Sequence, residues 1–131
     1  MKLFLIIYSI VLLSASGKSC KQQQELPEGC YKGKLEIKAM CMNYTVSIQN
    51  KNFDTSMVVA NWTDENTGKN YQDVFELGSK CTFPDSLQAG DEFYFTIDTT
   101  SVQNCSVCMA YYPTPAKKLS IKVLNAPCSN Q

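Results

Sequence analysis

The sequence predicts an all-β fold, and three observations lead to this prediction. Six short segments alternate apolar and polar residues or carry a short apolar run, which is the pattern of a β-strand. Clusters of Gly, Asn, Asp and Pro separate these segments and are typical of turns. Seven cysteines among 131 residues supply disulfides to a chain that can bury only a modest core. Together these features predict a small β-barrel or β-sandwich.

The predicted strands follow one another along the chain. Their apolar positions are Leu35/Ile37/Ala39, Tyr44/Val46/Ile48, Met57 to Trp62, Tyr71 to Leu77, Phe93/Phe95/Ile97 and Leu119/Ile121/Val123. The polar run from Thr63 to Asn70 predicts a hairpin turn between the third and fourth strands. Pro113 and Pro115 predict a loop, rather than a helix, between Cys108 and Lys118.

The start of the sequence has the features of an export signal. A lysine precedes the apolar run from Leu3 to Leu13, and small residues follow it. The run is shorter than the ~20 residues that a membrane-spanning helix needs. Cleavage after Gly17 leaves one domain, 18–131, whereas cleavage after Ser19 makes Cys20 the first residue. The sequence therefore predicts a secreted, extracellular protein with no membrane partner.

The residue types that are missing exclude several functions. The chain has no histidine, which excludes a Ser-His-Asp or Cys-His catalytic relay and every zinc site that contains histidine. All basic residues are lysines, whereas arginine makes most of the bidentate contacts to phosphates and bases. We therefore predict a protein that is not an enzyme, needs no cofactor or metal, and has no nucleic-acid partner.

The cysteines all follow the predicted signal, and an exported chain meets an oxidising environment. They are Cys20, Cys30, Cys41, Cys81, Cys105, Cys108 and Cys128. Three disulfides leave one cysteine over, which allows a disulfide-linked dimer, a buried free thiol or a capped thiol. Cys105 and Cys108 form a lone CxxC motif. We interpret them as two half-cystines, because no second pair lies at zinc-finger spacing.

Three sequons match the Asn-x-Ser/Thr pattern of N-linked glycosylation. They begin at Asn43, Asn61 and Asn104. In a secreted protein such sites carry glycans when they lie on the surface. Asn104 is the weakest candidate because a cysteine occupies the middle of its sequon. Asn43 and Asn61 lie in predicted strands, so their side chains have to point outward.

The cysteine spacing and four short motifs resemble the netrin-like module, whose best-known members are the tissue inhibitors of metalloproteinases. The motifs are CYKGKLEIKA from Cys30, YTVSIQNKNF from Tyr44, CTFPDSLQAGDEFYFTI from Cys81 and CMAYYP from Cys108. They occur in the family's order, and the resemblance covers most of the chain after the signal. It implies an OB-type five-stranded Greek-key barrel.

The resemblance also implies a disulfide pattern. In the family's pattern Cys30 pairs with Cys128, and Cys20 pairs with Cys108. Cys81 then takes Cys41 or Cys105 as its partner. We assign Cys41 to it, which leaves Cys105 unpaired.

The family inhibits its targets through an amino-terminal cysteine, whose amino nitrogen and carbonyl oxygen bind the open position of a catalytic zinc. The resemblance gives this role to Cys20, with Lys21 directed toward the protease's specificity pocket, if the signal is cut after Ser19. Cleavage after Gly17 leaves no such device. Tyr111 and Tyr112 are further candidate contacts, because tyrosine is enriched at interfaces.

These observations predict a secreted, non-enzymatic netrin-like module that binds an extracellular protein and, in the narrowest form, inhibits a metalloproteinase. Two alternatives stay open. One is a β-sandwich carrier of an apolar ligand, with Phe93 to Phe95, Tyr111 and Tyr112 lining its pocket. The other is an extracellular matrix component that is linked to other chains through the odd cysteine.

Overall fold

The computed structural model describes residues 26–128, which form a single β-sheet of seven strands. The strands are β1 (Tyr31–Lys38), β2 (Tyr44–Ile48), β3 (Val59–Thr63), β4 (Asn70–Leu77), β5 (Glu92–Ile97), β6 (Lys118–Leu119) and β7 (Ile121–Leu124). Three single-turn 3₁₀ helices lie at Met40–Met42, Thr55–Met57 and Lys80–Thr82. None of the helices in this part of the chain is long and apolar enough to cross a membrane.

The strands follow the order β3-β4-β2-β1-β5-β7, and neighbours in this order are antiparallel. β6 pairs with β4 in the parallel direction, and Ser120 alone separates β6 from β7. The all-β class is therefore confirmed. All the described strands belong to one hydrogen-bonded sheet, whereas a sandwich packs two sheets face to face. The two end strands of this order, β3 and β7, are not hydrogen-bonded to each other, so the sheet is open. The closed OB-type barrel is therefore not confirmed.

The first strand contains a β-bulge that the sequence pattern does not predict. The register between β1 and β2 shifts between Leu35 and Ile37, which leaves Glu36 as the additional residue. Leu35 is completely buried, whereas Ile37 is only partly buried. The simple alternation expected over Leu35, Ile37 and Ala39 is therefore wrong beyond the bulge.

The core consists of inward-facing residues of the strands together with Phe53, Val58 and Phe83 from the connections between them. Its buried members are Leu35, Tyr44, Val46, Ile48, Phe53, Val58, Phe75, Leu77, Phe83, Phe93, Phe95 and Ile121. The rings of Phe75 and Phe95 lie next to each other, with centroids 6.2 Å apart. Gly33 lies against Phe95 and Val46, because a Cβ at this position would approach the Phe95 ring to 3.0 Å and Val46 to 3.3 Å. A side chain at position 33 would therefore crowd the centre of the core.

Three disulfides connect the six cysteines between residues 26 and 128. Cys30 is bonded to Cys128, Cys41 to Cys108 and Cys81 to Cys105, with Cα–Cα distances of 6.2, 5.0 and 5.5 Å. All three distances lie within the range that a disulfide needs. The first pair is the one that the netrin-like resemblance implies.

The other two assignments from the sequence are wrong. Cys108 is bonded to Cys41 and not to Cys20, because the 3₁₀ turn after β1 brings Cys41 beside it. Cys81 is bonded to Cys105, so Cys105 is not the unpaired cysteine. Cys20 lies outside the described residues, and no cysteine among residues 26–128 is left over for it.

Candidate protein-binding surface

A long connection without regular secondary structure links β5 to β6. It covers 117 − 97 = 20 residues, from 98 to 117, and we call it the strap. Connections of more than ~12–15 residues without secondary structure are uncommon in small domains, and many of them are functional. The loop that the sequence predicts from Cys108 to Lys118 forms the second half of the strap.

Two disulfides fix the strap to the sheet. Cys105 is bonded to Cys81 in the 3₁₀ turn after β4, and Cys108 is bonded to Cys41 in the turn after β1. The two residues of the CxxC motif are therefore half-cystines of different disulfides. The closed loops span 24 and 67 residues. Loop-closure entropy gives such links about 3.4 and 4.4 kcal/mol of stabilisation at most.

The side-chain amide of Asn43 adds a second tie beside the Cys41–Cys108 bond. Its Nδ2 donates one hydrogen bond to the carbonyl oxygen of Met40, at 3.0 Å, and another to that of Ala110, at 2.9 Å. Both amide hydrogens are therefore used, one within the turn after β1 and one to join that turn to the strap. Although Asn43 begins a sequon, its side-chain amide forms hydrogen bonds that stabilise the folded protein.

Tyr112 anchors the strap to the hairpin turn between β3 and β4. Its hydroxyl donates to Oδ2 of Asp64 at 3.1 Å, and Asp64 is almost completely buried. The same carboxylate accepts hydrogen bonds from the backbone of Asn66 at 3.0 Å and from Oγ1 of Thr67 at 2.8 Å. One buried charge therefore organises the turn and holds the strap.

The pKa values of this pair agree with the geometry. Burial acts to raise the pKa of the Asp64 carboxyl, but its hydrogen bonds, led by the one from Thr67, outweigh burial and lower that pKa below its ordinary value. Burial, together with the hydrogen bond to the Asp64 carboxylate, raises the pKa of Tyr112. Asp64 is therefore held in its charged form and Tyr112 in its neutral, donating form at neutral pH.

The exposed apolar residues of the described chain are concentrated at the strap. Four large hydrophobic side chains are exposed: Met40 by 63%, Val102 by 68%, Met109 by 96% and Tyr111 by 81%. Val102, Met109 and Tyr111 belong to the strap, and Met40 belongs to the turn that is bonded to it. Met40 and Met109 flank the same disulfide, one residue from each cysteine. We call Met40, Met109 and Tyr111 the strap surface.

The backbone beneath the strap surface is strained. Cys41 and Met42 have φ angles of 55° and 54°, in the left-handed region that non-glycine residues rarely adopt. Each such residue costs about 1–2 kcal/mol. Strain of this kind persists where surrounding ties impose it, and it is concentrated at functional sites. Here the ties are the Cys41–Cys108 bond and the Asn43 amide.

The residues proposed from the sequence as target contacts are separated by the structure. Tyr111 is exposed on the strap surface, whereas Tyr112 is half-buried with its hydroxyl engaged. Cys20 and Lys21 lie outside the described residues. Met40 and Met109 were missed because they stand out only when Cys41 is known to pair with Cys108.

The residues predicted for the aromatic pocket of an apolar-ligand carrier are separated by the structure, and Tyr94 alone among them lines the surface cavity described below. Phe93 and Phe95 pack in the core, and Tyr111 faces solvent. A surface cavity of about 760 Å³ lies beside the Cys30–Cys128 bond, and its wall mixes lysine, glutamate and amide groups with tyrosine and proline. A site for an apolar ligand has a predominantly apolar wall. Within residues 26–128, no three His, Cys, Asp or Glu side chains are grouped to hold a metal ion.

Comparison with protein-family models, curated proteins and solved structures finds no match to this chain.

Proposed function

We propose that the protein is an exported, non-enzymatic binding module that contacts another extracellular protein through the strap surface. The observation that supports this most strongly is that all four exposed large hydrophobic residues of the described chain lie on the strap or on its bonded turn. Contiguous exposed apolar groups rimmed by polar residues mark interaction sites. Methionine suits such a surface because its side chain adapts to a partner.

The scaffold that we propose is the OB-type barrel of a netrin-like module. In support of it, the segment from Lys118 to Leu124 bridges two strands that are separate in the sheet order. Its first part, β6, pairs with β4, and its second part, β7, pairs with β5. Gly78 N donates to Leu119 O at 2.7 Å on one side, and Asp98 N donates to Ser120 O at 2.9 Å on the other.

Export is proposed from the signal at the start of the sequence and from the disulfides. Three disulfides among six described cysteines suit an oxidising compartment and are rare in the cytosol. Two of them hold the strap, so the proposed contact surface itself depends on that environment.

Inhibition of a metalloproteinase is the narrower form of the proposal. In that form Cys20 binds the catalytic zinc after cleavage at Ser19, and Lys21 enters the specificity pocket. The device requires Cys20 to be held in place, and the family holds it with a disulfide. Because the cysteines of residues 26–128 are bonded to one another, none of them clamps Cys20. The disulfide pattern therefore favours binding through the strap surface over zinc chelation.

The same pattern favours a second candidate, a disulfide-linked assembly. Seven cysteines less the six that are paired leave Cys20 as the odd one. A non-reducing gel of the exported protein, run beside the variant Cys20→Ser, tests this candidate. A dimer that disappears both on reduction and in the variant supports it, and a monomer in every lane contradicts it.

The first test of the main proposal is the amino terminus and intact mass of the protein exported by a eukaryotic host. A chain that begins at Cys20 retains the metalloproteinase form of the proposal, which is then assayed against the catalytic domains of secreted zinc proteases. A chain that begins before Cys20 rules out zinc chelation by the Cys20 amino group, and binding through the strap surface remains as the proposal. A chain that is not exported contradicts the proposal as a whole.

The second test compares the wild type with the triple variant Met40→Ser, Met109→Ser and Tyr111→Ser. Each protein is immobilised, and the extracellular proteins that it retains are compared by quantitative mass spectrometry. We expect retention of the partner to fall at least tenfold in the triple variant and to be unchanged in the control Lys51→Ser, an exposed position in the loop after β2. Equal retention by wild type and triple variant would contradict the proposed surface.

A further inference from the structure

The strand β3 is an edge of the sheet. It stands at the end of the strand order and pairs with β4 along one side, from Val59 opposite Val74 to Thr63 opposite Asn70. No described strand pairs with its other side. The backbone groups there can pair with a strand of another chain, and natural proteins block such edges with charges, prolines, bulges or covering groups.

The sequence of β3 contains none of the usual blocking residues. Between Asp54 and Asp64 there is no charged residue and no proline. The segment instead contains Val58, Val59 and Trp62, which favour β-structure. An uncharged stretch of this type at an exposed edge promotes association between chains.

A sequon lies at the centre of this edge strand. Asn61 is exposed, and Ala60 and Thr63 beside it are exposed as well. The neighbouring side chains are directed to β4: the Trp62 ring packs on Tyr71 with centroids 5.9 Å apart, and Thr63 Oγ1 donates to Asn70 Oδ1. These contacts leave the Asn61 amide accessible from the solvent.

We infer that Asn61 carries an N-linked glycan and that this glycan shields the free edge of β3. In the reaction, Nδ2 of Asn61 forms a bond to the anomeric carbon of an oligosaccharide carried on a lipid diphosphate. The bond from that carbon to the diphosphate oxygen breaks, the lipid diphosphate leaves, and the amide loses one proton. A large hydrophilic group in the middle of β3 then takes the place of the missing charges. The inference rests on the proposed export, because this modification occurs on exported chains.

The sequon at Asn43 provides the contrast. Its Nδ2 donates two hydrogen bonds, one to Met40 O and one to Ala110 O. A glycosylated amide nitrogen keeps a single hydrogen, so it cannot make both. A glycan at Asn43 would therefore remove at least one of these two hydrogen bonds. The folded, exported protein is therefore modified at Asn61 and unmodified at Asn43.

Site mapping tests the modification. The full chain is expressed in a eukaryotic secretory host, and N-glycans are removed enzymatically in heavy-oxygen water, which labels each formerly glycosylated asparagine for mass spectrometry. We expect a label at Asn61 and none at Asn43. Exported protein without a label at Asn61, or with one at Asn43, overturns the inference while export stands. A chain retained inside the cell and unlabelled at both sites overturns the inference and the proposed export together.

Size-exclusion chromatography with light scattering tests the shielding. We expect Asn61→Gln, and wild type deglycosylated after folding, to shift from monomer toward dimers or larger species. The control Asn104→Gln should stay monomeric, and Asn61→Lys should restore the monomer by placing a charge on the edge. Non-reducing gels exclude linkage through Cys20. Monomers of Asn61→Gln and of the deglycosylated wild type, at the concentration used for the others, would show that the glycan does not shield this edge.

Discussion

The core and the strap are ordered by different means. The core depends on strand periodicity, which places Phe75, Phe95 and their neighbours on the inside of the sheet. The strap has no periodicity, and side-chain bonds hold it to three different turns. These are the disulfides of Cys105 and Cys108 and the hydrogen bonds of Asn43, Gln103 and Tyr112. A core can accept many apolar sequences of similar volume, whereas the strap depends on individual bonds. Pro113 and Pro115 near the end of the strap are buried, whereas its exposed apolar residues lie beside the individual bonds.

Removing an aromatic ring from the core should give the largest difference in stability between a core variant and a strap variant. Phe95→Ala should lower the free energy of unfolding by about 3–5 kcal/mol, because it removes a completely buried side chain and leaves a cavity. The matched change Tyr111→Ala on the strap surface should alter it by less than about 0.5 kcal/mol. Urea unfolding measures both. Similar losses would mean that the strap is packed as the core is.

Breaking the strap's main tie should have the next largest effect. The double variant Cys41→Ser, Cys108→Ser opens a 67-residue loop and should cost about 2–4 kcal/mol. Hydrogen exchange should increase at residues 108–112 and remain slow in β1 and β5. The control Cys81→Ser, Cys105→Ser opens a 24-residue loop and should cost about 1 kcal/mol less. Faster exchange throughout the sheet would contradict independent ordering of the strap.

Because the Asp64 carboxylate holds the strap, part of the free energy of unfolding should depend on pH. Its folded pKa is lowered, so its contribution is complete above the unfolded pKa of about 4 and is lost as the pH falls through the lower, folded value. Asp64→Asn should cost about 1.5–3 kcal/mol at neutral pH, since it removes hydrogen bonds to a charged acceptor. Denaturant unfolding between pH 7 and pH 2 should show a smaller acid-induced loss in the variant. Parallel curves for the two proteins would assign the acid sensitivity to other groups.

The smallest effect is expected in the sheet, at Thr45. Its side chain is completely buried, and within the described residues its Oγ1 has no hydrogen-bond partner. Thr45→Val replaces this hydroxyl by a methyl group of similar size and should raise the free energy of unfolding by about 1 kcal/mol. Ser79→Ala, which removes a completely buried hydroxyl that donates to the carbonyl oxygen of Ile121, is the matched control and should not stabilise. A destabilised Thr45→Val would indicate that the hydroxyl is satisfied.

The difference between the core and the strap also explains which features could be predicted from the sequence. Alternation placed the strands, and the polar run from Thr63 to Asn70 located the hairpin turn, because both are local properties of the chain. The bulge at Glu36 and the break at Ser120 depend on cross-strand pairing and leave no local signal. Disulfide pairing is a still less local property, since six cysteines allow 15 connectivities. The strap surface was missed for that reason, because it exists only when Cys41 and Cys108 meet.

The bridging position of β6 and β7 has a consequence for how the chain is made. The last strands of the described chain pair with β4 and β5, and Cys128 is bonded to Cys30, 98 residues earlier. A chain emerging from the ribosome therefore presents β4 and β5 with unpaired edges until residues 118–128 have been synthesised. Contacts between such distant parts of a sequence form slowly. Folding of this sheet is accordingly expected to wait for the synthesis of residues 118–128, which leaves a period in which the first cysteines can form transient pairs with one another.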